Sequence, residues 1–322
     1  MGSSICKLAV LLLLQAALPS APPLPQQVSG RIVRPGTRKM DPVADAWVVL
    51  HRVGPDRAGP LDSVRSDVRG RYSFRYERTG SEDALYFVSA SHDGIAYFTP
   101  PLTEANVSGD DGEIAVFDTT SGRVPLSVRG HHVVVSAADA NAQRSIVEVY
   151  DVSNDTSVTR VAPDDNPAHA TWQVHIPPTA TGFKVGQGDI SPAAVTSANG
   201  LVSVFAPLAP GIKQISFSYS LAAESFPLKL PLEQDTGIYE VMIEEKAGSV
   251  TGPRLKEVDP VTVDERNFRR FLASDVPRNS VTVVDLPAPP PAHSVDSRYL
   301  VALTLVIGGA MILALARALR RG

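Results

Sequence analysis

Histidine is the side chain best suited to moving protons or holding a metal near neutral pH, and the chain has seven. Their spacing is the first test of what it can do. His131 and His132 follow Gly130 at the opening of an apolar strand. Neighbours on a strand point to opposite faces, so the pair does not readily close on one ion and is expected at a loop or strand edge. His169 and His175 flank Trp172. Shared ligation with Asp164 or Asp165 can be drawn, but the spacing matches no metal motif. No histidine has a glutamate three positions later, and His-Glu-x-x-His is absent, which excludes the usual zinc-peptidase arrangements.

Other constellations are equally incomplete. Asp110-Asp111-Gly112-Glu113 is acidic and turn-like, without the alternating oxygen ligands of a calcium loop. Gly182 to Gly188 has the glycines of a phosphate loop but no Gly-Lys-Ser/Thr and no helix to open, so it reads as a hairpin. No Gly-x-Ser-x-Gly elbow presents a serine nucleophile. Asn106-Val107-Ser108 and Asn154-Asp155-Thr156 are sequons. The expectation is therefore no catalytic, cofactor-binding or metal-ligating residue, no cofactor, and no enzymatic activity.

The elements around these residues are strands. Proline (27) and glycine (23) are scattered through the chain, as many short strands and turns require. Helical periodicity is confined to the two ends, so the class is all-β. A net charge of −4 gives no basic stripe and excludes nucleic acid as a partner. Cys6 is the only cysteine, so the body must be held together by apolar burial without disulfides.

Strands are expected from Val28 to Val33, Ala46 to Arg52, Arg71 to Tyr76, Leu85 to Ser91 and Ile95 to Phe98 in a first sandwich, residues 26–118. Tyr72, Phe74 and Tyr76 alternate with polar residues and share one face. Trp47, Val49 and His51 face away from Val48 and Leu50, so that strand is expected to be covered on both sides, with Trp47 and Phe74 in the core. A second, Ig-like sandwich is expected over 119–245, where Ile215, Phe217 and Tyr219 alternate with serines. Residues 246–286 are read as a smaller membrane-proximal unit that completes or extends a sandwich, followed by a Pro-rich linker over 287–298.

The ends predict where the body is held. Lys7, the apolar run Leu8 to Leu14 and the small residues near Ser20 describe a signal peptide over 1–20. Tyr299 to Ala316 carries no charge, and 18 residues of helix rise about 27 Å, close to a bilayer core. Arg317, Arg320 and Arg321 in the tail, 317–322, place that end in the cytoplasm. The expected location is the plasma (inner) membrane, single-pass, with the body in the periplasm or at the cell surface. Ala302, Gly309 and Ala316 give the helix a small-residue stripe.

Two resemblances add to this. Val28-Ser29-Gly30-Arg31-Ile32-Val33, Pro42 to Leu50, Ser66 to Phe74 and Tyr86 to Ala90 resemble the carboxypeptidase regulatory-like (transthyretin-like) domain, with Asp45 in place of a usual glycine. The resemblance implies a seven-stranded Greek-key sandwich that serves as an accessory module rather than a peptidase. From Trp172 to Arg321 the chain is similar to the membrane-proximal part of a group of bacterial surface proteins, on Gln173 to Pro177, Ala206 to Gly211, Gln214 to Tyr219 and Phe271 to Pro277. Some of that group are associated with cytochrome c maturation or envelope assembly. The expected function is membrane-anchored binding or adhesion, to a protein or surface polysaccharide. The alternatives are an assembly factor for an envelope complex and a carbohydrate-binding module.

Overall fold

The computed structural model describes residues 25–36, 39–263 and 265–288; the expected leader, most of the linker, the anchoring helix and the tail lie outside them. The described chain is all-β, and its helical pieces are 3-10 turns of three or four residues. Among the described residues no helix is long and apolar enough to cross a membrane. The chain divides into two compact units, one ending at Asp118 and the other beginning at Thr119.

In the first unit the strands are β1 (Pro25–Pro35), β2 (Met40–Pro42), β3 (Trp47–Val53), β4 (Ala58–Arg65), β5 (Arg71–Glu77), β6 (Leu85–His92), β7 (Ile95–Phe98), β8 (Asn106–Val107) and β9 (Ile114–Ala115). One sheet runs β2-β1-β5, with the short β8 and β9 parallel to β1; the other runs β4-β3-β6-β7. Tyr72, Phe74 and Tyr76 on β5 are all buried, and Tyr76 stacks on Tyr86 of the other sheet at 5.3 Å. The Asp67 carboxylate sets the turn into β5 by accepting from the backbone N–H of Arg69 and Arg71, 2.8 Å each. Gly30 and Gly112 are obligatory for another reason. A Cβ on Gly30 would lie 1.7 Å from the Gly112 carbonyl oxygen, so the backbone of β1 and the 3-10 turn Gly109–Gly112 touch directly. Asp45 has a φ of +59°, the conformation in which glycine is unstrained and Asp is tolerated.

The expectation for Trp47 requires correction. Val48, Leu50 and Arg52 face the core, whereas Trp47 is 46% exposed with the Arg65 guanidinium 5.0 Å from its ring. Strict alternation filled the inner face with Val, Leu and a buried arginine, so the tryptophan falls on the outer one.

In the second unit the strands are β10 (Thr119–Thr120), β11 (Leu126–Val135), β12 (Gln143–Asn154), β13 (Thr159–Arg160), β14 (Trp172–His175), β15 (Thr181–Val185), β16 (Val195–Ala198) and β17 (Leu201–Val204). They continue as β18 (Gly211–Ala222), β19 (Leu228–Pro231), β20 (Thr236–Ile243), β21 (Ser249–Thr251), β22 (Lys256–Val263), β23 (Arg266–Val276) and β24 (Val281–Asp285). A seven-stranded sheet, β15-β18-β12-β11-β20-β23-β22, shares one core with two three-stranded sheets, β14-β17-β16 and β19-β24-β21; β10 and β13 form a small parallel ribbon. β14 and β19 are edges of the two small sheets, and no ladder joins them.

Residues 246–286 extend the sheets of the second unit, since β23 pairs with β20 inside the large sheet and β24 pairs with β19. One reading changes here. The segment from Gly182 is not a hairpin. β15 pairs with β18, whose first residue is Gly211, a partner that local turn chemistry cannot reveal. Arg144 secures the far end of the described chain. Fully buried on β12, it donates to the Glu245 carboxylate (2.8 Å) and to the Pro287 carbonyl (2.9 Å).

Candidate functional site

A bulge decides which histidine points inward. Val128 pairs with Val152 and Gly130 with Asp151, so Arg129 is an extra residue that shifts the alternation of β11 by one. Val128 faces the core before the bulge; His131, Val133 and Val135 do so after it. His132 therefore emerges on the opposite face.

His131 is not at an edge, since β11 lies between β12 and β20. It is 6% exposed, and its Nε2 is 2.8 Å from Glu148 Oε2. Tyr150 donates its hydroxyl to the same oxygen at 2.6 Å, and Tyr219 donates to Glu148 Oε1 at 2.7 Å. Burial alone would raise the Glu148 carboxyl. Hydrogen bonding to His131 and the positive charge there, then the two tyrosine hydroxyls, more than offset it and hold the group below its ordinary value. The same burial, with the negative charge of Glu148, pushes Tyr150 and Tyr219 upward and keeps both hydroxyls as donors. The His131 ring stacks on Tyr150 at 3.9 Å, and Tyr150 meets Trp172 at 4.9 Å.

This network floors a cavity of about 440 Å³. Its walls come from the end of β14 at Ile176, Pro177 and Pro178, from the Asn199-Gly200 turn, and from Leu228 and Leu230 on β19. Exposed His175 and Lys229 stand among the lining residues. The cavity therefore opens where the edges of the two small sheets part. A carboxylate holding three donors is a weak proton acceptor, so the floor is suited to presenting a fixed polar surface beneath an apolar chamber rather than to abstracting a proton.

The other described histidines form separate contacts. His132 Nδ1 lies 2.8 Å from Glu240, which also takes Arg270. His169 meets Asp164 at 2.7 Å, while His175 goes to Glu233 at 3.0 Å, so the residues around Trp172 do not converge. In the first unit His92, Asp93 and Asp118 bring three ligand atoms within 4.8 Å of one another, a grouping hidden in sequence by the 26-residue gap to Asp118. Arg34 lies 3.5 Å from the same Asp118 oxygen that meets His92, so that carboxylate already has cationic company. The acidic turn at Asp110 places Glu113 on Arg31. Asn154 is buried, with its amide donating to the carbonyls of Val158 and Leu208, so the second sequon is a structural capping residue.

As members of one site, Glu148, Tyr150 and Tyr219 escaped the sequence reading, which had Tyr219 only as a half-buried strand residue. The available signal was an acid on the buried parity of an alternating strand, Ile146-x-Glu148-x-Tyr150-x-Val152. No protein-family profile matches the chain, and no curated protein is significantly similar to it.

Proposed function

We propose that the protein is a non-enzymatic, membrane-tethered β-sandwich binding protein held outside the cytoplasm. Its second unit takes a largely apolar ligand into the chamber above His131 and Glu148. The observation that carries this reading is the chamber itself. At about 440 Å³ it falls in the range of ligand sites, roughly 300–1,000 Å³, and it combines apolar walls with a few polar groups whose desolvation is already compensated. The tether rests on the apolar run 299–316 with its arginine tail, and the location on the leader-like residues 1–20. The first unit is read as an accessory module of the carboxypeptidase regulatory-like kind, on the motif residues between Val28 and Ala90.

The test is purification of the full chain from membranes in mild detergent, followed by native mass spectrometry. The reading expects a membrane fraction resistant to carbonate, release after truncation before Ser297, and a bound small molecule. A freely soluble full chain would contradict the tether; a stable complex with other proteins and no small molecule would favour an assembly factor.

The outer face of the first unit favours a second reading, attachment to a surface polysaccharide. Trp47 and Phe98 are exposed there, His51 stacks on Phe87 at 5.1 Å, and Phe87 meets Phe98 edge-on at 5.7 Å. Exposed aromatic faces of this kind can stack on sugar rings. Retention on immobilised polysaccharide that Trp47→Ala abolishes without lowering the melting temperature would support it.

A further inference from the structure

Beside the β10–β13 ribbon of the second unit lies an open groove of about 310 Å³ that is lined by two arginines and by no carboxylate. Arg160 is held there by three hydrogen bonds to two residues. Its backbone exchanges hydrogen bonds with Leu208, and its Nη2 donates to the Ala170 carbonyl at 2.8 Å. Arg123, just beyond β10, lines the same groove. Among the described residues neither guanidinium pairs with a carboxylate. Four acids of the flanking segments are committed elsewhere: Asp155 to Arg129, Asp164 to His169, Glu233 to His175 and Asp235 to Arg278. Half-burial, then the charge of Arg123, depress the Arg160 guanidinium, as expected for two cations sharing a site without a counterion. Gln234 and Trp172 also line the groove, and the buried indole Nε1 of Trp172 has no acceptor among the described residues. A buried donor in that state costs free energy until an acceptor reaches it.

We propose that this groove binds an oxyanion, the carboxylate, phosphate or sulfate group of a ligand, between the guanidinium groups of Arg123 and Arg160. Planar guanidinium forks match such oxygens two at a time, and charge-assisted bonds of this type are the strong ones. The chamber above His131 is a separate space, so this proposal goes beyond the binding role proposed above and neither stands or falls with the other.

Trp172 supplies the readout. The chain has two tryptophans, so the full-length Trp47→Phe protein in detergent reports from Trp172 alone. Its emission is titrated with inorganic phosphate, sulfate, acetate and glucuronate, against chloride at matched ionic strength. Saturable changes are expected with one or more of the oxyanions and not with chloride. A response to acetate and glucuronate alone identifies a carboxylate ligand, and a response to phosphate or sulfate alone identifies an ester of those acids. Arg123→Gln, at an exposed position, should weaken binding about tenfold or more, the loss of at least one charge-assisted bond. Arg160→Gln should do the same, and if it fails to fold, Arg123→Gln decides. No saturable response, an equal response to chloride, or unchanged affinity in Arg123→Gln would overturn the assignment.

Discussion

Nε2 of His131 lies 2.8 Å from Oε2 of Glu148 at the centre of the seven-stranded sheet, with both side chains almost wholly buried. Two ionisable groups in such a place are stable only together, since each offsets the desolvation of the other. Removing one is then worse than removing both. Glu148→Ala should cost about 3–5 kcal/mol, the usual penalty for breaking a buried pair, and the His131→Leu/Glu148→Leu double variant should cost less than that single change. Chemical denaturation of the parent and the variants measures both. Equal or greater loss in the double variant would show that the pair contributes net stability of its own.

The pair also sets a pH dependence. The folded Glu148 carboxyl is depressed below its ordinary value of 4.5, so its contribution is fully present above that value. Stability is lost as pH falls through the lower folded value, because the unfolded chain then takes up the proton first. Melting temperature followed downward from pH 5 should decline, and part of the decline should vanish in Glu148→Gln. A Glu148→Gln profile identical to the parent's would remove the carboxylate from this role.

In the first unit the two aromatic positions should behave oppositely. Phe74 is 2% exposed, and Phe74→Ala should cost about 3–5 kcal/mol. Trp47→Ala, on the outer face, should cost less than about 1 kcal/mol. Denaturant midpoints check this, and a large loss from Trp47→Ala would mean that its face is covered.

The last described residues depend on Arg144. Its bonds to Glu245 and to the Pro287 carbonyl fasten the last described residues to the second unit. Arg144→Ala should destabilise the second unit by several kcal/mol, about 3–5 for a broken buried pair, and should expose the backbone around Pro287 to hydrogen exchange. Normal protection there would contradict the clasp.

Much of the fold was legible because strand alternation is a local signal. Tyr72, Phe74 and Tyr76, or Ile215, Phe217 and Tyr219, declare their buried face within five residues. The site was not, for three physical reasons. The Arg129 bulge changes the parity of β11, and only the partner strand reveals it. His131 is 17 residues from Glu148, and Tyr219 is 71 from it, separations set by sheet order rather than by any motif. The chamber exists because β14 and β19 end different sheets, a topological fact with no local signature. Trp47 failed for the converse reason, since size and apolarity suggested burial while parity, which was readable, put it outside.

The central claim is that the chamber above His131 and Glu148 holds an apolar ligand, and its most direct test is titration of the full chain with the neutral fluorescent probe N-phenyl-1-naphthylamine. Pro178→Trp places a bulky side chain at an exposed position among the lining residues, in the turn after β14, where folding should tolerate it. The prediction is saturable binding of one probe per chain to the parent, lost or weakened at least about tenfold in Pro178→Trp with the melting temperature unchanged. Equal binding by parent and variant, or no saturable binding to either, would contradict the account.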